Sequence, residues 1–165
     1  MCTSKRGDNE TGFGCNGGHG GKYRRSIRSA TKRPESGNGD RLPEVVAEVK
    51  AAYDRYNNAI NSGTIAVLND TFWNDPRTIR YGQAENLYGF KEIEGFRASA
   101  RPLDPPRTLS KTVITTYGRD FAVASTLTYR ANQLGKVGRQ MQTWVRFPDG
   151  WHVVAAEVST IDEPK

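Results

Sequence analysis

Four strand-forming segments fill the last third of the chain: "RTLSKTVITTYG" (107–118), "DFAVASTLTYRAN" (120–132), "KVGRQMQTWVRF" (136–147) and "GWHVVAAEVSTI" (150–161). Val, Thr, Tyr and Trp are enriched in them, and these side chains suit a pleated, half-buried surface. Gly118-Arg119-Asp120 and Pro148-Asp149-Gly150 are tight hairpin signals. Long strands joined by such turns pair with their neighbours in sequence, which predicts an antiparallel meander.

The segments before it read as helices around one short strand. Pro43 suits a first helical turn, with Glu44 beside it for the dipole. Val45, Val49, Ala52, Tyr56 and Ile60 fall on one helical face, with Tyr53 adjacent to it. Ser62-Gly63 ends that helix. "TIAVLNDTFW" (64–73) reads as a short second helix capped by Thr64, and Thr78–Tyr81 as a strand after the Asp75-Pro76 turn. "GFKEIEGFRASA" (89–100) predicts a third helix with Phe90, Ile93 and Phe96 on one side. The order α-α-β-α-β-β-β-β is that of an α+β fold. A long antiparallel sheet with helices on one side curls into a cone around a pocket.

"VVAA" (153–156) and "FAVA" (121–124) place apolar residues on both faces of their strands. A sheet with one wet face alternates apolar and polar. A homodimer through the sheet is the simplest cover for the second face, because isologous dimers are the commonest assembly; a buried long strand in a monomer is the alternative.

Charge is unevenly placed. The chain carries +6 overall, yet residues 1–41 hold nine of the 24 Lys/Arg and four of the 18 Asp/Glu. The rest is nearly neutral, so the high pI gives no reason to expect nucleic-acid binding. The same segment has nine of the 17 glycines and almost no aliphatic residues. Too little apolar surface is available there to offset the entropy of ordering, so residues 1–41 are expected to be a disordered basic extension and 42–164 the folded domain. "GGHGGKYRR" (17–25) fails as a phosphate loop: Asn16 stands where the first glycine is needed, and Tyr23 follows Lys22. Both cysteines, Cys2 and Cys15, lie in this segment, so neither a disulfide framework nor a zinc site is expected to hold the domain. No apolar run approaches the ~18 residues of a membrane span, and the N-terminus lacks a secretory apolar core. A cytoplasmic protein is the expectation.

"AAYDRYNNAI", "FWNDPRTIRYGQAENLYG", "RTLSKTVITTYGRDFAVASTLTYR", "GRQMQTWVRFPDGWHVVAAEVS" and "IDEP" resemble the AtzH-like family, which includes HpxZ-type oxalurate catabolism proteins. The resemblance spans about residues 42–164. It implies an NTF2-like (cystatin-like, SnoaL-like) cone, with a curved antiparallel sheet packed on N-terminal helices. It also implies a role in nitrogen catabolism beside amidase-type enzymes, on small anionic ureides such as 1,3-dicarboxyurea or oxalurate-like compounds. The implied step removes a carboxyl-bearing group by hydrolysis or decarboxylation, giving allophanate in the dicarboxyurea case. Fold alone does not fix chemistry, since the superfamily holds isomerases, dehydratases, hydrolases and binding modules.

The domain has no cysteine and one histidine, His152, with no G-x-S-x-G or H-E-x-x-H motif. A nucleophile needs a base within reach, and a metal site needs three or four ligands. His152 beside Trp151 reads as a surface or interface histidine, and no cofactor or metal is expected. Arginine, tyrosine and tryptophan remain. Arginine offers a planar fork to a carboxylate, and tyrosine can donate a proton. Such a pair fits a labile N-carboxylated urea, whose breakdown asks for charge stabilisation and a proton donor.

Tyr56 faces the sheet and Arg80 lies on the strand after the helices, so these two are the expected catalytic pair. Core packing is the alternative for Tyr56, and pairing with Glu85 is the alternative for Arg80. Arg77 reads as a turn residue bridged to Asp75. Trp144, Arg97 and Tyr88 are expected as substrate-binding walls. Against this, Trp144 also fits a dimer interface, and Arg97 with Arg101 fits a solvated helix face. Glu157 alternates with Ala155 and Ser159. A buried carboxylate there would serve a ketosteroid-isomerase-like proton transfer in an apolar cavity. Three functions therefore stay open: a cofactor-free ureide hydrolase or decarboxylase, a non-catalytic ureide-binding or amidase-accessory module, and that isomerase.

Overall fold

The computed structural model describes residues 42–164, so the expected disordered extension, its cysteines and the glycine-rich stretch at 17–25 lie outside the described residues. Helix α1 (Pro43–Ser62) and short helix α2 (Ile65–Asp70) come first. Strands β1 (Ile79–Tyr81) and β2 (Asn86–Tyr88) precede helix α3 (Phe90–Arg97). Four long strands complete the domain: β3 (Thr108–Tyr117), β4 (Phe121–Tyr129), β5 (Lys136–Phe147) and β6 (Gly150–Asp162). The six strands form one curved, unclosed sheet in the order β2-β1-β6-β5-β4-β3. The meander is as expected, and strand β2 is an addition. Strand β1 pairs in parallel with β6, setting Arg80 opposite Ala156. Beyond β1, Phe72 adds a parallel bridge to Val153.

The α1 stripe is wider than the spacing of Val45, Val49, Ala52, Tyr56 and Ile60 implies. Its buried residues are Val45, Val49, Tyr53, Tyr56, Asn57 and Ala59. Ala52 and Ile60 are only partly buried at the edge of the stripe, packed against the core cluster to which Tyr53 belongs. Gly63 closes the helix in the left-handed conformation, its N–H donating to the Ala59 carbonyl. Helix α3 is shorter than expected and rotated. Phe90, Ile93 and Arg97 point inward, while Phe96 is exposed.

The core lies between α1 and the concave face of the sheet. Val49, Tyr53, Tyr56, Phe72, Ile93, Ala122, Ala124, Trp144 and Val153 belong to it. Among the described residues, no helix is long and apolar enough to cross a membrane.

Candidate functional site

Arg80 faces inward. Its cross-strand neighbour Ala156 is buried, and residues paired across a sheet share a face. The β1–β2 turn folds back so that Gly82 N–H donates to the Glu85 carbonyl at 2.8 Å. This brings the Glu85 carboxylate onto the Arg80 guanidinium, with both side chains largely buried. The guanidinium also lies 5.0 Å from the centroid of the Phe96 ring. A Cβ at Gly82 would meet the Glu85 carboxylate, so a larger residue there would displace that side chain from its place beside Arg80.

Arg80 borders a cavity of about 390 Å³ between α1, α3, the 98–107 segment and the sheet. Tyr56, Leu68, Phe96, Arg97, Arg101, Arg107 and Gln140 also line it. Arg97 is buried. Its Nη1 donates to the Leu68 carbonyl, and its guanidinium stacks 4.1 Å from the Phe72 centroid. Burial holds the Arg97 pKa below its ordinary value; the nearby Tyr56 hydroxyl opposes that shift and Arg80 adds to it. Arg107 is fixed from α1. Asn61 Oδ1 accepts its main-chain N–H at 3.1 Å, and Asn61 Nδ2 donates to its carbonyl at 3.1 Å. Its Nη1 donates to Gln140 Oε1 at 2.9 Å and its Nη2 to Asn57 Oδ1. Burial lowers the Arg107 pKa too, opposed by Tyr56 and Tyr53.

Among the described residues, Arg80 has a carboxylate partner, whereas Arg97 and Arg107 pair only with neutral groups. A guanidinium withdrawn from water without a counter-charge is costly. Two such groups on one cavity, Arg97 buried and Arg107 partly buried, with a tyrosine hydroxyl beside them, have chemistry suited to a small oxyanion.

Of the expected site residues, the structure brings Tyr56, Arg80 and Arg97 together and leaves two outside. Trp144 is not a wall: it is fully buried in the core between Ala122 and Val153, because the inward face of β5 packs under α1 there. Tyr88 is not a wall either. It sits exposed on edge strand β2, its hydroxyl 3.1 Å from that of Tyr81. Arg97 lies inside and not on a solvated helix face. Arg77 bridges Asp75 at 2.8 Å and holds that carboxyl below its usual range. His152 is held by Asp70 and Asp149 away from this cavity. Glu157 is exposed and borders an outer groove with Met141 and Ser159, so the carboxylate of an isomerase-type site is not where that reading needs it.

Sequence reasoning missed Arg107, Asn57 and Gln140. Gln140, Gln142 and Trp144 share the inward face of β5, so two amides in strand period beside a tryptophan were the signal for a polar inner surface. Nothing local marked Arg107, which follows Pro105-Pro106 at the head of β3.

Comparison with curated proteins finds no match. Among solved structures, a protein of unknown function from the DUF3225 family of Pectobacterium atrosepticum is 50% identical. It has a TM-score of 0.70, over 73% of this chain and 94% of that one. A cystatin-like fold protein from Burkholderia xenovorans is 43% identical, with a TM-score of 0.71 over 74% and 96%. An NTF2-like protein of unknown function from Pseudomonas putida shares the fold at 13% identity, with a TM-score of 0.63 over 76% and 99%. The family model described as AtzH-like matches residues 40–164, the whole of the described domain, and the chain therefore belongs to the AtzH-like family.

Proposed function

We propose that the protein is a cofactor-free enzyme that removes a carboxyl group from a carboxylated urea or oxalurate-like ureide, as in the conversion of 1,3-dicarboxyurea to allophanate. The observation that carries this is the cavity in which Tyr56 stands with Arg97 and Arg107, two guanidiniums that lack carboxylate partners. Arg80 takes the substrate carboxylate in place of Glu85. Arg97 holds the field positive around the Tyr56 hydroxyl. Tyr56 gives its proton to the departing nitrogen as the N–carboxyl bond breaks, and water restores it. The balance is R–NH–COO⁻ plus H⁺ giving R–NH₂ plus CO₂, which needs a proton and charge stabilisation but no strong nucleophile. Residues 42–164 form the working domain, residues 1–41 a separate basic extension, and the setting is cytoplasmic nitrogen catabolism beside an amidase.

The test is carbon dioxide and allophanate release from freshly generated 1,3-dicarboxyurea. Wild type should exceed the buffer rate. Arg80→Ala and Tyr56→Phe, each checked for folding, should lose about 10²–10⁴-fold. A wild-type rate equal to buffer would turn the reading to the second one, a ureide-binding or amidase-accessory module. The Arg80–Glu85 pair favours that alternative, since it leaves Arg80 satisfied before any ligand arrives.

We also propose a homodimer through the convex face of the sheet. Val113, Ser125, Met141 and Glu157 form a cross-strand row there, with Val113 and Met141 more than half exposed.

A further inference from the structure

Arg107 is built differently from the other arginines of the cavity. Its main chain is clamped by both amide atoms of Asn61. Its head is clamped by Asn57, one turn earlier on α1, and by Gln140 on β5. Asn57 is itself fixed, donating to the Tyr53 carbonyl at 2.8 Å. Four side-chain hydrogen bonds thus hold this one arginine, two at its main chain and two at its guanidinium, and both acceptors of the guanidinium are neutral amides. An arginine kept only for stability would gain more from a carboxylate at position 57 or 140. Amides instead fix its direction and leave its charge unspent.

Its place along the cavity is also distinct. Arg80 on β1 lies against Phe96 of α3, and Arg97 of α3 against Leu68 and Phe72. Arg107 is held instead by Asn57 of α1 and Gln140 of β5, so Arg80 and Arg97 make one cationic pole of the cavity and Arg107 makes another, with Tyr56 also on its lining.

We infer that Arg107, oriented by Asn57 and Gln140, is a second anion-binding arm of this cavity and the residue that selects ligands carrying two anionic ends. This rests on the cavity being the ligand site proposed above. One end of the ligand meets Arg80 and Arg97, the other meets Arg107, and the linking group lies against the Tyr56 hydroxyl.

The probes are glutarate and butyrate, two stable acids of similar length with two carboxylates and one, titrated into the full chain by calorimetry. Wild type should bind glutarate at least about tenfold more tightly, the scale of one charge-assisted pair. Asn57→Asp places a carboxylate on Arg107 without removing it. That variant should melt no lower than wild type, keep its butyrate affinity, and hold glutarate within about twofold of butyrate. Arg107→Gln should show the same loss of selectivity. A wild type without preference for glutarate overturns the inference. So does selectivity that survives in both folded variants, or a loss of glutarate and butyrate binding alike. Selectivity that depends on Arg107 in a protein that does not turn over 1,3-dicarboxyurea would leave the inference standing and remove only the proposed activity.

Discussion

Arg97 brings a full charge into an interior that answers it with a carbonyl and an aromatic face. An apolar side chain of similar length in such a place is often neutral or stabilising, whereas truncation leaves a void. Arg97→Met should therefore unfold within about 1 kcal/mol of wild type, and Arg97→Ala should lose about 2–3 kcal/mol in urea denaturation. Both should lose carboxylate binding. A stability loss as large for Met as for Ala would mean that the charge itself holds the fold. Tyr53 offers a check on burial from the alkaline side. Burial raises its hydroxyl above the ordinary value of 10.0, with Thr126 and Asn57 opposing. Between the unfolded and folded values, the unfolded chain releases a proton that the fold retains. Stability is then whole below pH 10 and falls as pH climbs through that window. Urea midpoints at about pH 8 and about pH 10.5 should fall more in wild type than in Tyr53→Phe; equal slopes would place the alkaline sensitivity elsewhere.

At the scale of elements, one glycine joins the fold to the site. Gly63 has φ +68°, and a Cβ there would stand 2.6 Å from Arg101 C and 2.6 Å from Pro102 N. The end of α1 is thus pressed against the segment that carries Arg107. Gly63→Ala should lower stability by about 1–3 kcal/mol and weaken carboxylate binding beyond that loss, measured by thermal melting and calorimetry. Stability lost with binding intact would separate the two. The same elements show what was legible in the sequence. The meander was plain because β3 to β6 are 9–13 residues each, rich in strand-forming side chains, with tight-turn signals at 118–120 and 148–150. Strand β2 spans three residues, too few for any period to show. Helix α3 departs from the reading at Phe96, which hydrophobicity placed with Phe90 and Ile93 on one side. Phe96 is exposed, with its ring against the Arg80 guanidinium, while Arg97, expected as a wall residue, takes the inward position that a solvated helix face would not give it. Tyr56 could be placed from helix periodicity, and Arg80 from its position on the strand that follows the helices. Arg107 could not, because its role arises from an α1 contact 50 residues away.

For the whole molecule, the two faces of the sheet have separate duties. Among the described residues, those around the arginine cavity lie on the concave side of the sheet. The convex side exposes Val113, Met141, Tyr117 and Phe121, with Lys111 and Arg139 beside Glu157 around a groove of about 450 Å³. Apolar rows flanked by both signs of charge are what an isologous contact requires, because each patch must complement itself across a two-fold axis. Val113→Lys with Met141→Lys places four like charges at the centre of such a contact and replaces no residue that lines the arginine cavity. Wild type should elute as a dimer in light-scattering chromatography at about 10 μM, and the double variant as a monomer. The variant should retain ligand affinity per protomer, since both replaced residues lie on the face away from the cavity. A wild-type monomer would sink the dimer. A dimer that persists in the variant would move the interface off this face. Monomers that lose binding would show that pairing of the sheets sets the curvature on which the distance from Arg80 to Arg107 depends.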